Sequence, residues 1–455
     1  MTNWASDAIF YHIFPLGLCG APRQNQPHYR PQQRLEKLLP WLDHAREIGA
    51  TAVLLGPVME SGTHGYDVID YFRVDPRLGE KSTLAQITQE AHNRGLRVVL
   101  DGVFHHVGRD FPAFCDVREN GRTSRFTDWF HLDFNGTSPY GDLFSYKAWN
   151  GCYDLAKLNL HNPEVRQHLF NAVSSWVSEY HIDGLRLDAA DHLDMGFTHD
   201  LAELCHHLKP DFWLMGEVVK GPYSRWLAEG GLDCVTDYEC YKGFYSSHND
   251  GNYFEIAHSL RRQYGKDGLY RPAGLYSFVD NHDVERIATR LNNPAHLYPL
   301  YCLLFTAPGI PAIYYGSEFG VQGAKSSWDD WALRPALKLQ QLRKNPCHSN
   351  LVNTISRLAD LRARAPALRH GDFQELSVSQ RRFVFSRHTP NQRMVVAISA
   401  EKKSVEQEVI FPEPINGKLV DWLNPGQQFE IRDGKAQLCP LWPCWARVME
   451  VQTGP

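Results

Sequence analysis

Two rhythms of apolar and polar positions divide this chain. Residues 8–15, 52–55, 97–101, 184–188, 212–217, 232–236, 275–280 and 311–315 carry short, nearly unbroken apolar stretches. Runs of that length without alternation predict strands buried on both faces. Between most of them apolar positions recur at helical spacing, as over residues 33–48, 84–93 and 163–180. The last of these opens on Asn162-Pro163, a capping side chain followed by proline at the first helical position. Strands alternating with helices predict a parallel sheet, and eight such units close into a (β/α)8 TIM barrel, an α/β fold.

The rhythm fails in two places. Residues 104–157 are rich in Gly, Asn, Asp and aromatic side chains with weak periodicity, which predicts a short insertion domain after the third strand. Beyond residue 370 strict alternation takes over in FQELSVS, RFVFSRH, RMVVAIS and VEQEVIF, with turn residues at Thr389-Pro390 and Asn416-Gly417. That pattern predicts an all-β sandwich. The expected domains are a catalytic barrel over residues 1–103 and 158–370, the insertion over 104–157, and a C-terminal β-sandwich over 371–455.

Composition narrows the function. Apolar residues make up 43% of the 455, enough for a large core. Charged residues are 22%, well mixed, with a net charge of −5 and no long Lys/Arg block, which points away from nucleic acid and membrane surfaces. The 12 Trp, 20 Tyr and 23 Phe suit a cleft in which sugar rings stack on aromatic faces, although most such residues in any chain fill the core. The ten cysteines are irregularly spaced and form no CxxC pair, so a zinc site is not expected. The N-terminus MTNWASDAIFYHIF carries no basic segment, apolar core or cleavage site of an export signal. The reading is a cytoplasmic protein with free thiols and no membrane span.

On the barrel reading, acidic side chains close several strands at the end where such barrels hold their active sites. Asp101 closes strand three, Asp188 strand four, Glu217 strand five, and Asp280, His282 and Asp283 strand seven. Arg186 shares a strand face with Asp188, where its guanidinium is expected to keep that carboxylate ionised as a nucleophile. Glu217 follows the apolar run 212–215, and a carboxyl at the edge of an apolar wall is suited to donate a proton. A lone strand-end Asp is ordinarily a helix cap or a surface residue. Three acids converging from separate strands, each among His or Arg, suit glycosidic cleavage: one attacks the anomeric carbon, one protonates the leaving oxygen, and a third steadies the oxocarbenium-like charge.

At these residues the chain resembles the α-amylase superfamily of glycoside hydrolases over nearly its whole length. Asp101-Gly-Val-Phe-His-His106, Gly184-Leu-Arg-Leu-Asp-Ala-Ala-Asp-His192, Gly216-Glu217-Val218 and Phe278-Val-Asp-Asn-His-Asp283 resemble its motifs on strands three, four, five and seven. His64-Gly-Tyr-Asp-Val-Ile-Asp-Tyr71 and Gly309-Ile-Pro-Ala-Ile-Tyr-Tyr-Gly-Ser-Glu318 resemble its strand-two loop and strand-eight motif. The resemblance implies Asp188 as nucleophile, Glu217 as general acid/base and Asp283 as the carboxylate holding sugar hydroxyls. It further implies His106 and His282 as hydrogen-bond partners of the sugar, Tyr66 stacked beneath it, Arg186 orienting Asp188, and Asp67 and Arg334 bracing the pocket. Asp191-His192 looks like a leaving-side subsite of α-amylases.

The insertion, with Phe111-Pro-Ala-Phe-Cys-Asp-Val-Arg-Glu-Asn-Gly and Asp128-Trp-Phe-His131, resembles the neopullulanase, cyclomaltodextrinase and maltogenic amylase group. So does Leu155-Ala-Lys-Leu-Asn159. The implied substrates are α-1,4-linked maltooligosaccharides and cyclodextrins, with starch and pullulan as further candidates, cleaved with retention through a glycosyl-Asp188 intermediate. Two alternatives use the same residues: an α-glucan transglycosylase, with Trp149, Trp328 and Trp331 as candidate acceptor platforms, and a non-catalytic carbohydrate-binding protein. Three departures stand out. The N-terminal β domain usual in the group is not expected, because the barrel pattern starts almost at Met1; Val219 stands where that group often carries Trp; and Asp191-His192 leans toward ordinary α-amylases. Many α-amylases bind calcium between barrel and insertion, but here His105 and Lys157 stand where the family has oxygen ligands. Calcium wants hard oxygen donors, so no calcium is expected there and no cofactor is needed.

Overall fold

The computed structural model describes residues 4–26, 30–271, 274–326 and 329–453. Eight short parallel strands form the central sheet: β1 (Phe10–Ile13), β2 (Ala52–Leu55), β3 (Arg97–Gly102), β4 (Gly184–Leu187), β5 (Trp213–Gly216), β6 (Cys234–Val235), β7 (Tyr276–Phe278) and β8 (Ile310–Tyr314). Each pairs in parallel with its neighbours in sequence, and β1 pairs with β8. A single parallel bridge, Thr236↔Tyr276, joins β6 to β7 and closes the ring. The (β/α)8 barrel predicted from the apolar runs is therefore present.

Strand parity fills the barrel. Phe10, Ala52, Leu54, Val99, Trp213, Met215, Tyr276, Phe278, Ile310 and Ala312 form an apolar cluster inside the ring. Their alternates Tyr11, Val53, Leu55, Val98, Leu100, Leu214 and Ile313 belong to the larger core under the helices. Gly184 shares the parity of Arg186, and only glycine fits there because a Cβ would lie 2.4 Å from the Trp213 carbonyl oxygen. Continuing the inner parity beyond each strand's apolar part reaches Asp101, Arg186, Asp188, Glu217 and Asp280. The fold thus aims polar groups into the barrel mouth by the same alternation that packs its floor.

The helices of the barrel region include α1 (Leu39–Glu47), α2 (Lys81–Asn93), α3 (Pro163–Tyr180), α4 (Tyr238–Asn249), α5 (Leu297–Thr306) and α6 (Leu351–Arg364). In α3 the Asn162 side chain accepts from the Glu164 backbone N–H at 2.8 Å, the cap predicted from Asn162-Pro163. The helix expected over 33–48 is divided, with a 3-10 turn at Arg34–Leu38 and α1 starting at Leu39. Pro40 explains the division: it has no N–H for an interior helical bond and is tolerated only in a first turn.

Between β3 and β4 the chain builds a helix (Pro112–Asn120) and a three-stranded antiparallel sheet from His106–Gly108, Cys152–Lys157 and Ala148–Trp149. Beyond the barrel come eight antiparallel strands: β9 (Asp372–Val378), β10 (Arg382–Thr389), β11 (Gln392–Ser399), β12 (Val405–Ile410), β13 (Gly417–Asp421), β14 (Gln428–Arg432), β15 (Lys435–Leu441) and β16 (Trp445–Thr453). They form one sheet ordered β9-β10-β11-β16-β13-β14-β15-β12, folded over a core of Val384, Val395, Leu419, Leu438 and Met449. Among the described residues no helix is long and apolar enough to cross a membrane.

Candidate active site

Three strand ends meet at one guanidinium. Arg186, 3% exposed, donates through Nη1 to both oxygens of Asp101 at 2.8 Å and to Asp188 Oδ1 at 2.9 Å. Its Nη2 lies 2.7 Å from Glu217 Oε2. Residues from the ends of β3, β4 and β5 are thereby tied to a single buried cation. The Glu217 carboxylate also accepts from the Ala189 backbone N–H at 3.2 Å and from the Tyr238 hydroxyl at 3.2 Å. Tyr238 opens α4 just after β6 and is itself held by Asn281 Nδ2 at 3.3 Å.

Asp283 faces this group from beyond β7, with nitrogen partners from His282 and Arg334. His282 Nε2 lies 3.0 Å from its Oδ2, and Arg334 Nη2 donates to its Oδ1 at 2.9 Å. The Arg334 Nε also donates to the His282 carbonyl oxygen at 3.0 Å, which fixes the loop carrying both residues. Tyr66 closes the circuit: its hydroxyl bonds Asp101 Oδ2 at 3.1 Å and contacts His282 Nε2, and its ring stacks on that imidazole at 5.6 Å.

Charge and burial set the protonation. Burial pushes the Asp283 carboxyl up, but His282 and Arg334 outweigh it and hold the group well below the usual carboxylate range. Asp188 goes the other way. Burial raises its carboxyl, Arg186 opposes, and the neighbouring Glu217 and Asp101 add to the rise. This differs from the expectation that Arg186 would keep Asp188 ionised, because burial first, and then the other carboxylates around the one guanidinium, outweigh it. His106 is pushed down to about 3, by burial first and then by His64, and is a neutral imidazole. Its Nε2 is buried without a partner among the described residues, a hydrogen-bonding atom left open at the cleft wall.

The open cleft above these groups measures about 880 Å³. Tyr66, His106, Asp188, His192, Glu217, Asp283 and Arg334 line it, so seven predicted residues share one cleft. Arg186, His282 and Asp67 do not: they lie beneath it, with Asp67 accepting from Thr63 Oγ1 at 2.9 Å. Trp149 and His192 meet edge to face at 4.7 Å along one side. Trp331 lies off the cleft, with the Arg23 guanidinium 5.5 Å over its ring, and Trp328 falls outside the described residues. Sequence reasoning missed Tyr238 and the cleft cations Lys220 and Lys325. For Tyr238 a signal existed, since Thr236-Asp237-Tyr238 directly follows a strand end.

The corner between barrel and insertion offers poor donors for calcium. Lys157 pairs with His106 across the insertion sheet. His105 is pushed down to about 3 by burial, then by His106 and by the Lys157 charge. An imidazole and an ammonium in one corner do not fit a divalent cation that seeks oxygen.

Comparison with known proteins places this geometry. The family model "Alpha amylase, catalytic domain" matches residues 35–357. A cyclomaltodextrinase of Bacillus sp. is 31% identical over 435 residues, covering 88% of this chain and 74% of that one. Among solved structures, a cyclomaltodextrinase superposes with a TM-score of 0.85 at 26% identity, over 98% of this chain and 78% of the other. The cyclic α-maltosyl-(1→6)-maltose hydrolase of Arthrobacter globiformis, in complex with cyclic α-maltosyl-(1→6)-maltose, gives 0.81 at 25% identity over 99% of both chains. The chain belongs to the alpha-amylase family and is a glycosidase of that family.

Proposed function

We propose that this enzyme hydrolyses α-1,4-glucosidic bonds in maltooligosaccharides and cyclodextrins, with retention of configuration. One observation carries the reading: Asp188 and Glu217 are held by the two terminal nitrogens of Arg186 on the wall of the cleft, with Asp283 opposite. In the first step an Asp188 oxygen bonds the anomeric carbon, the glycosidic C–O bond breaks, and Glu217 gives its proton to the leaving oxygen. In the second, Glu217 takes a proton from water, whose oxygen displaces Asp188 and frees the carboxylate. Asp283, kept ionised by His282 and Arg334, faces the positive charge that develops on the ring in the transition state of each step. His106 offers a neutral ring nitrogen to a sugar hydroxyl, Arg186 and His282 act from beneath by holding the carboxylates, and Asp67 braces the loop of Thr63 that leads to Tyr66.

Small and cyclic α-glucans are favoured because cyclomaltodextrinases stand among the relatives, and starch or pullulan are slower candidates. A second reading, transfer of the glycosyl unit to another sugar, is favoured by the Trp149–His192 wall, which offers an acceptor platform beside the acid/base. Ten unbridged thiols support a reducing, cytoplasmic setting. The test is incubation with β-cyclodextrin, starch and pullulan, with product identification and Glu217→Gln in parallel. Ring-opening faster than starch hydrolysis and a loss of about 10²–10⁴ in kcat for Glu217→Gln are expected. Near-full activity of that variant refutes the assignment.

A further inference from the structure

A second groove, of about 770 Å³, runs between helices α5 and α6 of the barrel and the turn joining β15 to β16. It shares no residue with the catalytic cleft. Tyr298, Asn353 and Arg357 form one side, Trp442 and Trp445 the other. The indoles are fixed rather than loose. Trp445 donates through Nε1 to Asn424 Oδ1 at 2.7 Å, and its ring lies 6.0 Å from that of Tyr298. Trp442 carries the Arg447 guanidinium 4.2 Å over its ring, and that arginine is itself buried on Asp421 at 2.8 Å.

Core packing does not account for Trp442. It is half-buried, yet it belongs to none of the apolar clusters, whereas Trp445 packs on the main core. The turn that presents it is also strained: Cys444 takes φ 46°, a left-handed conformation unusual outside glycine. Asn353 is exposed and its amide has no protein partner among the described residues, while Arg357 commits one donor to the Leu423 carbonyl. Among the described residues no carboxylate lines the groove, so it does not select cations. The large exposed apolar side chains of the described surface, Tyr140, Leu143, Leu208, Val219, Phe254, Leu269 and Ile410, all lie elsewhere, so this is no flat apolar docking face.

Fixed ring faces beside amide and guanidinium donors match a ligand with an apolar C–H face and a rim of hydroxyls. We infer that this groove is a second, non-catalytic binding site for an α-glucan chain. The choice of α-glucan rests on the function proposed above; the sugar-binding character rests on the groove itself. It would hold a longer chain at the junction of barrel and sheet while the cleft acts on another part or another chain.

The test uses the full-length chain carrying Asp188→Asn, so that polymer is not consumed, in native gels containing amylopectin. Retardation is expected for this parent. Adding Trp442→Ala should weaken it about ten-fold, as loss of a central aromatic contact does, and Asn353→Ala should weaken it less. Asn353 is exposed, so its variant keeps the result readable should Trp442→Ala fold poorly. Unchanged retardation in both variants, or none in the parent, overturns the inference. Failure of the catalytic reading shows separately, as absent turnover of a chromogenic maltooligosaccharide by the unmodified enzyme.

Discussion

Replacing Arg186 by Leu removes the cation that Asp101, Asp188 and Glu217 share. All three are at least nine-tenths buried, and the arginine is 3% exposed. Breaking a buried ion pair from one side costs about 3–5 kcal/mol. The unfolding entropy of a 455-residue chain is on the order of 1 kcal/mol/K, so the melting temperature should fall by about 3–5 °C at neutral pH. The pH dependence is the sharper signature. Burial raises Asp188 and Asp101 even with Arg186 in place, and removing it raises them further. A carboxyl whose folded pKa lies above its unfolded value of ~3.9 stabilises the fold while protonated and loses that contribution as pH rises through the folded pKa. The gap between variant and wild type should therefore be narrow at pH 5 and wide at pH 8, measured by calorimetry. Turnover should fall by about 10²–10³, as when a preorganised electrostatic group is lost. An equal deficit at both pH values, or a variant that melts above wild type at pH 8, refutes the shared-cation argument.

Three further perturbations separate neighbouring roles. Asp183, buried at the start of β4, accepts from Arg97, Lys209, His92 and the Val98 N–H at 2.7–2.8 Å. Burial raises its carboxyl, but His92 and Lys209 lead a set of bonds that hold it far below the usual range. Its stabilisation is thus present above pH ~3.9 and lost as pH falls below that, and in acid melts Asp183→Asn should show less of this loss than wild type. Tyr238→Phe should lower kcat by roughly ten-fold through loss of one hydrogen bond to Glu217, with melting unchanged, and an unaltered kcat would remove Tyr238 from the site. Trp149→Ala should at least halve the share of transfer products at high substrate, read by chromatography, while hydrolysis of short substrates persists; an unchanged product ratio would exclude Trp149 as the acceptor platform.

The barrel and its acids were legible because one periodicity governs both. Val99 and Asp101, Gly184 and Arg186, Met215 and Glu217 share inner parity, so a run read as buried strand already says where the next polar side chain points. The division of the 33–48 helix was legible in Pro40 but overridden by the apolar spacing around it. Tyr238 was harder. Its place just after a strand end is a weak local sign, and its role arises only where α4 meets the ends of β5 and β7, a contact between distant segments that spacing cannot show. The Trp442 groove escaped for the same reason: its two sides lie in the barrel helices and the last turn of the sheet.

Sharing is the part no motif displays. Read along β4, Arg186 and Asp188 are an ion pair, and the expected result is a permanently charged nucleophile. Read across the sheet, Arg186 meets Asp101 from β3 and Glu217 from β5 as well, so one positive charge faces three negative ones. Within it, burial and the neighbouring carboxylates raise Asp188 and Asp101 despite the guanidinium. Asp283 makes no direct contact with that guanidinium and is paired instead with His282 and Arg334, which also reach Tyr66 and Asp330. On the proposed mechanism that division is useful. The β3–β5 group retains the proton the leaving oxygen needs, and Asp283 supplies a fixed negative charge that no proton transfer has to restore.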